Sequence, residues 1–197
     1  MTIVLATSNR GKLKEFQELC SYDIKVYSDI IDEFDVEETE DTFAGNALLK
    51  ADAIYKKLNN ESYIVISDDS GISVPILGGE PGIYSARYAG ESATDVDNIK
   101  MLIEKLNSKN ITSTPAYYTC AISIVSKYGE YTLHGWMHGE VTNNPKGENG
   151  FGYDPIFIPN GYNDTIAEIS NKIKSNISHR AKALNLAKPI INMLVNI

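Results

Sequence analysis

Two apolar patterns alternate along the first third of the chain, and that alternation limits the fold more than any other feature. Ile3-Val4-Leu5-Ala6 is a short continuous apolar run of the kind a buried strand shows. From Gly11 to Cys20 the spacing turns helical, with Leu13, Phe16, Leu19 and Cys20 on one face. Asp23 to Tyr27 reads as a second strand. Phe43 to Leu58 reads as a second helix, with Ala44, Ala47, Leu48, Ala51, Tyr55 and Leu58 as its inner stripe. Tyr63 to Ser67 is another buried strand, expected to end at Asp68. Farther on, Thr94 caps a helix running to Leu106, with Asp97 three residues on as an acidic variant of the capping box. Tyr117 to Ser126 and Glu130 to Val141 form two long strands of a hairpin around Tyr128-Gly129. Asn143 to Gly150 is turn-rich, and Ser178 starts a last helix that Pro189 should kink or split. Strands alternating with helices, followed by a hairpin, predict an α/β fold. The expected form is a mixed sheet with flanking helices, in two lobes around a central cleft.

A length of 197 residues suits a single domain spanning 1–197 and suffices to bury a real core. The net charge of −8 removes one class of function, because a nucleic-acid binder needs a basic footprint to displace counterions. Any lysine or arginine that meets phosphate must therefore act locally. Cys20 and Cys120 form neither a disulfide framework nor a CxxC metal pair, and both fall in apolar patterns. No apolar run approaches the roughly 18 residues of a membrane span. The chain enters a strand pattern at once, so the expected location is the cytoplasm, with no membrane partner.

Four segments carry candidate chemistry, each with a plainer reading beside it. Thr7-Ser8-Asn9-Arg10-Gly11-Lys12 joins a strand to a helix. Helix N-terminal N–H groups attract anions, and Thr7, Ser8 and Asn9 add donors while Lys12 adds a charge. The spacing is not that of a Walker A loop, and ordinary capping with an exposed lysine is the alternative. Asp68-Asp69-Ser70-Gly71 follows an apolar strand. Adjacent carboxylates resist joint ionisation unless a cation or donors hold them, and a hard ion such as Mg²⁺ does so while bridging phosphate. An Asx turn is the alternative. The acidic run with Glu37, Glu38, Glu40 and Asp41 is either a solvated loop or a source of one further metal oxygen. Phe151-Gly152-Tyr153-Asp154-Pro155-Ile156-Phe157 places a ring to stack on a flat heteroaromatic ligand beside a flexible joint and an acceptor. The same stretch also reads as an aromatic turn packing a core. Ser178-His179-Arg180, after Lys174, puts cations at a helix start, where they call for an anion or an electron-rich base opposite. An exposed basic turn is the alternative. His134 and His138 lie ~13 Å apart at strand rise and read as surface or packing histidines.

Taken together, these motifs resemble the Ham1-type inosine triphosphatase family, pyrophosphatases that act on non-canonical purine nucleoside triphosphates. The likeness runs nearly end to end. It covers Leu5 to Lys12, Glu38-Thr39 before Thr42-Phe43, Asn46-Ala47 before Lys50-Ala51, and Asp68 to Gly71. It continues through Leu77-Gly78-Gly79, Pro81 to Tyr88, Gly150 to Phe157 and Lys174 to Arg180. The resemblance implies hydrolysis of ITP, dITP and XTP to the monophosphate and pyrophosphate by Mg²⁺-assisted attack of water on the α-phosphate. It implies that Thr7, Asn9 and Lys12 hold the triphosphate, in a substrate-binding segment that also includes Ser8, Arg10 and Gly11. Glu38 and Asp69 would bind Mg²⁺, with Asp69 also the base for water and Asp68 supporting the acidic cluster. Ser70 would contact the substrate and Phe151 would stack on the purine, with Gly152, Tyr153 and Asp154 shaping the base pocket. Lys174, His179 and Arg180 would complete recognition, and the protein would be a homodimer. A Maf-like pyrophosphatase preferring other nucleotides lacks support from the Phe151–Phe157 and Ser178–Arg180 motifs together. A non-catalytic nucleotide sensor would have no need of Glu38 and Asp69.

Overall fold

The computed structural model describes all residues of 1–197 except Ser8, Cys20, Ser21, Glu33 and Asp35, and describes Arg10, Glu18 and Leu19 by backbone only. Six strands form one sheet in the order β2-β1-β3-β4-β5-β6, with β1 Thr2–Leu5, β2 Ile24–Val26, β3 Tyr63–Ser73, β4 Ser113–Ser126, β5 Gly129–Thr142 and β6 Phe157–Pro159. β1 pairs in parallel with β2 and β3, whereas β5 and β6 are antiparallel, so the sheet is mixed as expected. The helices are α1 Arg10–Leu19, α2 Phe43–Leu58, α3 Asp95–Ser108, α4 Asn171–Ile177 and α5 His179–Val195. Among the described residues no helix is long and apolar enough to cross a membrane.

The chain divides into two compact units. The first comprises Met1–Asp69, Cys120–Gly135 and Arg180–Ile197, and the second Ser70–Thr119 and Trp136–His179. In the first unit the strand parity of two sorts the core. Ile3, Leu5, Ile64 and Ile66 pack with Phe16 of α1 and with Leu184, Ile191 and Leu194 of α5. The intervening Val4, Ala6 and Val65 pack with Ala51 and Ile54 of α2. Successive strand residues thus face different helices. Thr42 caps α2 by accepting from Gly45 N at 3.0 Å, and Asn59 closes it in the left-handed region at φ 46°.

In the second unit Ile99, Leu102 and Leu106 of α3 join Ile72, Val74, Tyr153, Ile156 and Phe157 in one cluster. The capping box at Thr94 forms as the sequence predicts. Thr94 Oγ1 accepts from Asp97 N at 3.3 Å, and Thr94 N donates to Asp97 Oδ2 at 3.0 Å.

Two expectations need correction. β3 does not stop at Asp68 but continues to Ser73, so Asp68-Asp69-Ser70-Gly71 lies inside a strand. Ladder pairing, with Ile72 and Val74 buried beyond the acidic pair, outweighs the local turn propensity of two aspartates. Pro189 does not split α5, which runs unbroken through it. Pro189 and Asn185, whose carbonyl loses its helical donor, are both exposed and reach water, while Ala187, Ile191 and Leu194 are buried. α4 is an additional short helix capped by Ser170, and its extended C-cap Ser178 stands directly before α5, so the last helix begins where the sequence places it.

Candidate active site

Asp68 and Asp69 are neighbours in sequence but have different partners, and strand parity is the reason. Asp68 shares the parity of Ile64 and Ile66, the side that meets α1 and α5. Its Oδ2 lies 3.2 Å from Lys12 Nζ of α1 and 3.0 Å from Arg180 Nη2 of α5, with Arg180 Nε at 3.2 Å. Asp69 shares the parity of Val65, the side that meets α2, and its Oδ1 lies 3.5 Å from Lys50 Nζ. Lys50 also donates to Glu38 Oε1 at 2.7 Å, so Glu38 and Asp69 converge on one ammonium.

The electrostatics follow this division. Burial alone would raise the Asp68 carboxyl, but Lys12, Arg180 and Lys50 outweigh it and hold the group well below its ordinary value. Asp69 goes the other way. Burial raises it, Lys50 and Lys12 compensate only in part, and Glu38 and Asp68 push it up further. Burial would lower Lys50, but Asp69, Glu38 and Asp68 raise it. Arg180 is 1% exposed and pairs with Glu15 of α1 as well as Asp68. The anions opposite this helix-start arginine are thus two carboxylates of the chain itself. Cys120 is buried, its thiol pushed up by burial and by Asp68, and it behaves as a core residue.

At the start of α1, Asn9 Oδ1 accepts from Lys12 N at 3.1 Å and Thr7 Oγ1 accepts from Asn9 N at 3.2 Å, so this turn does cap its helix. Gly11 lies in the first turn of α1. Ser8 lies outside the described residues, as does the Arg10 side chain.

The second unit holds the aromatic segment as a tight turn. Asp154 is buried, and its Oδ2 accepts from Phe151 N at 3.0 Å and from Lys174 Nζ at 2.7 Å. The same Lys174 ammonium lies 4.7 Å from the centre of the Phe151 ring. Gly150, at φ +81°, is required there, because a Cβ would stand 2.0 Å from Asp154 Oδ2. Gly152 N donates to Asp95 Oδ2 of α3 at 2.7 Å. Tyr153 is buried and donates through its hydroxyl to Ser85 O at 2.8 Å. The His179 ring stacks on Tyr118 with centroids 4.6 Å apart and planes 8° apart, and Tyr118 meets Phe157 edge-on at 4.8 Å. Ser70 is half-buried in β3. His138 is exposed against Tyr117.

Several participants were absent from the residue-by-residue reading. Lys50 left a legible signal: it is a charge on the apolar face of α2, three residues after Ala47 and four before Ile54. Glu15, three residues after Lys12 and beside buried Phe16, left a weaker one. Asp95, Ser85 and Tyr118 left none, since their roles rest on contacts distant in sequence.

The Ham1 family model matches residues 3–190 of the chain. A protein of Sulfurovum sp. named dITP/XTP pyrophosphatase is 58% identical, covering 100% of this chain and 96% of that protein. One of the same name from Sulfurimonas denitrificans is 52% identical, covering 98% and 100%. The Staphylococcus aureus Ham1 protein structure superposes with a TM-score of 0.86 at 42% identity, covering 98% of each chain. A HAM1 protein from Coxiella burnetii gives 0.87 at 34% identity, covering 98% of this chain and 99% of that one. The mixed sheet, the sequence motifs and these likenesses lead to one conclusion: this chain belongs to the Ham1 family.

Proposed function

We propose that this chain hydrolyses the non-canonical purine nucleoside triphosphates ITP, dITP and XTP to the monophosphate and pyrophosphate, cleansing the nucleotide pool. The observation that carries the reading is the convergence of Glu38 and Asp69 on a single cation, Lys50 Nζ, in a member of a family whose named relatives are dITP/XTP pyrophosphatases. Mg²⁺ is held by one or two carboxylates plus waters and substrate phosphates, so two converging carboxylates are a donor set that fits it. That fit needs no larger cluster, and none of three or more metal-ligating side chains occurs among the described residues. When bound, Mg²⁺ supplies charge neutralisation to the phosphate oxygens. Asp69 is the base for the attacking water, a role favoured by burial that raises its affinity for a proton. Asp68 stays ionised and holds Lys12 and Arg180 in place.

The turn from Thr7 to Lys12 receives the triphosphate, using the N–H groups at the start of α1 and the Lys12 charge. Ser70 touches the substrate. In the second unit Phe151 stacks on the purine, while Gly152, Tyr153 and Asp154 shape the base pocket with Lys174 and His179. The resemblance supports a part in recognition for Arg180, which the first unit holds against Asp68 and Glu15. A hypoxanthine or xanthine 6-carbonyl accepts from a cationic donor where an adenine amino group leaves that donor unpaired, which sets the direction of selectivity. The resemblance further supports a homodimer acting in the cytoplasm.

Pyrophosphate release measured with and without Mg²⁺ across ITP, dITP, XTP, ATP, GTP and dTTP tests the reading. Mg²⁺-dependent turnover of the first three, with little of ATP, is expected. A preference for dTTP, or binding without release, would overturn it.

A further inference from the structure

The acidic segment that carries Glu38 is seated on the first turns of α2 at two adjacent positions. Glu40 N donates to Asn46 Oδ1 at 3.0 Å. Since a backbone N–H only donates, this bond fixes which end of the carboxamide is oxygen. The other end, Nδ2, is buried and has no hydrogen-bond partner among the described residues, in a side chain with 0% exposure. A buried amide donor without an acceptor destabilises a fold, and an apolar side chain of similar size would avoid the cost. The bond that Asn46 does make therefore has a use beyond packing.

Gly45 points the same way. A Cβ at this position would come within 2.6 Å of Glu40 Cβ and 2.9 Å of Glu40 Cγ. The acidic segment thus lies against the helix as closely as a glycine allows. Asn46 and Lys50 are four residues apart and share one face of α2. That face grips the segment twice, by its backbone through Asn46 and by the Glu38 carboxylate through Lys50 at 2.7 Å.

We propose that Asn46 is a positioning residue for metal binding: it pins the backbone at Glu40 so that Glu38 is presented beside Asp69. This rests on the reading of Glu38 and Asp69 as the metal carboxylates. Replacing a group that orients a metal's ligand typically costs roughly 10–100-fold in metal affinity.

The test is Mn²⁺ binding to substrate-free protein, followed by electron paramagnetic resonance, for wild type, Asn46→Leu, Asn46→Ala and Glu38→Gln. Thermal melts and KM for ITP at saturating metal accompany it. Asn46→Leu should weaken Mn²⁺ about tenfold, while its melting temperature stays level or rises and KM at saturating metal is unchanged. In a Glu38→Gln background the same substitution should add little, because its effect passes through Glu38. Folded Asn46 variants that bind Mn²⁺ like wild type would overturn the proposal, as would an undiminished effect in the Glu38→Gln background. Failure of the underlying reading looks different: wild type itself would then bind no Mn²⁺ and release pyrophosphate without metal.

Discussion

Asp68 in the first unit and Asp154 in the second are both buried aspartates that organise candidate site residues, but they do so by different physics. Asp68 meets the side-chain cations Lys12 and Arg180, and Arg180 is itself buried against Glu15. Asp154 meets the side-chain cation Lys174 and the backbone N–H of Phe151, in a turn also tied by Tyr153 to Ser85 O and by Gly152 N to Asp95. The first arrangement depends on charge balance in a low-dielectric interior, where removing one partner strands the others. The second spreads its hold over an ion pair, backbone N–H groups on carboxylates and a neutral hydroxyl bond, each worth about 0.5–3 kcal/mol, so losing one bends the turn without collapsing the unit. Residues proposed to meet phosphate and metal are thus held by charges, and those proposed to meet a flat base by a mixture of backbone, ring and ion-pair contacts.

Asp68→Ala should produce the largest loss, about 3–5 kcal/mol in denaturant unfolding, because Arg180 and Lys12 lose their shared carboxylate. If it costs no more than a substitution in the aromatic turn, charge balance is not what organises the first unit. Asp69→Asn should leave the melting temperature near that of wild type but lower kcat by a factor on the order of 10²–10⁴, typical of losing a general base. Wild-type turnover in the folded, Mg²⁺-saturated variant would remove Asp69 from the chemistry. In the second unit, Phe151→Ala should leave stability nearly untouched and weaken nucleotide binding by about 1–3 kcal/mol, the usual worth of a base–aromatic stack. Titration with ITP and with inorganic triphosphate checks this, since only the nucleotide should lose affinity. The smallest effect is expected from Asp95→Ala, which frees Gly152 N and should raise KM for ITP by no more than about tenfold, or ~0.5–1.5 kcal/mol. A collapse of the fold in that variant would show that the aromatic turn is as brittle as the charge cluster.

Much of this organisation was legible before any coordinates. The helix Phe43–Leu58 and the capping box at Thr94 are local events, decided by apolar spacing and by side chains three residues apart, and both formed where the sequence places them. The hairpin around Tyr128-Gly129 is local in the same sense. The motifs that mark the family are contiguous, so the resemblance needed no tertiary information. Where propensity and tertiary pairing disagreed, pairing prevailed. Two aspartates followed by Ser-Gly suggest a turn, but neighbouring strands and the buried Ile72 and Val74 carry β3 through them. Pro189 suggests a break, but the apolar face of α5 holds the helix together while the unbonded carbonyl faces water.

The sequence by itself determined which residues carry charge and which carry rings. The tertiary structure decided that the consecutive aspartates lie on one strand, and so face opposite ways, and which cations they meet. Lys12, Arg180 and Lys50 come from three helices, and Arg180 is 112 residues away from Asp68 along the chain. The physical reason is that a strand's parity is a local property of the backbone, whereas a buried charge takes its counterion from whichever helix packs on that face.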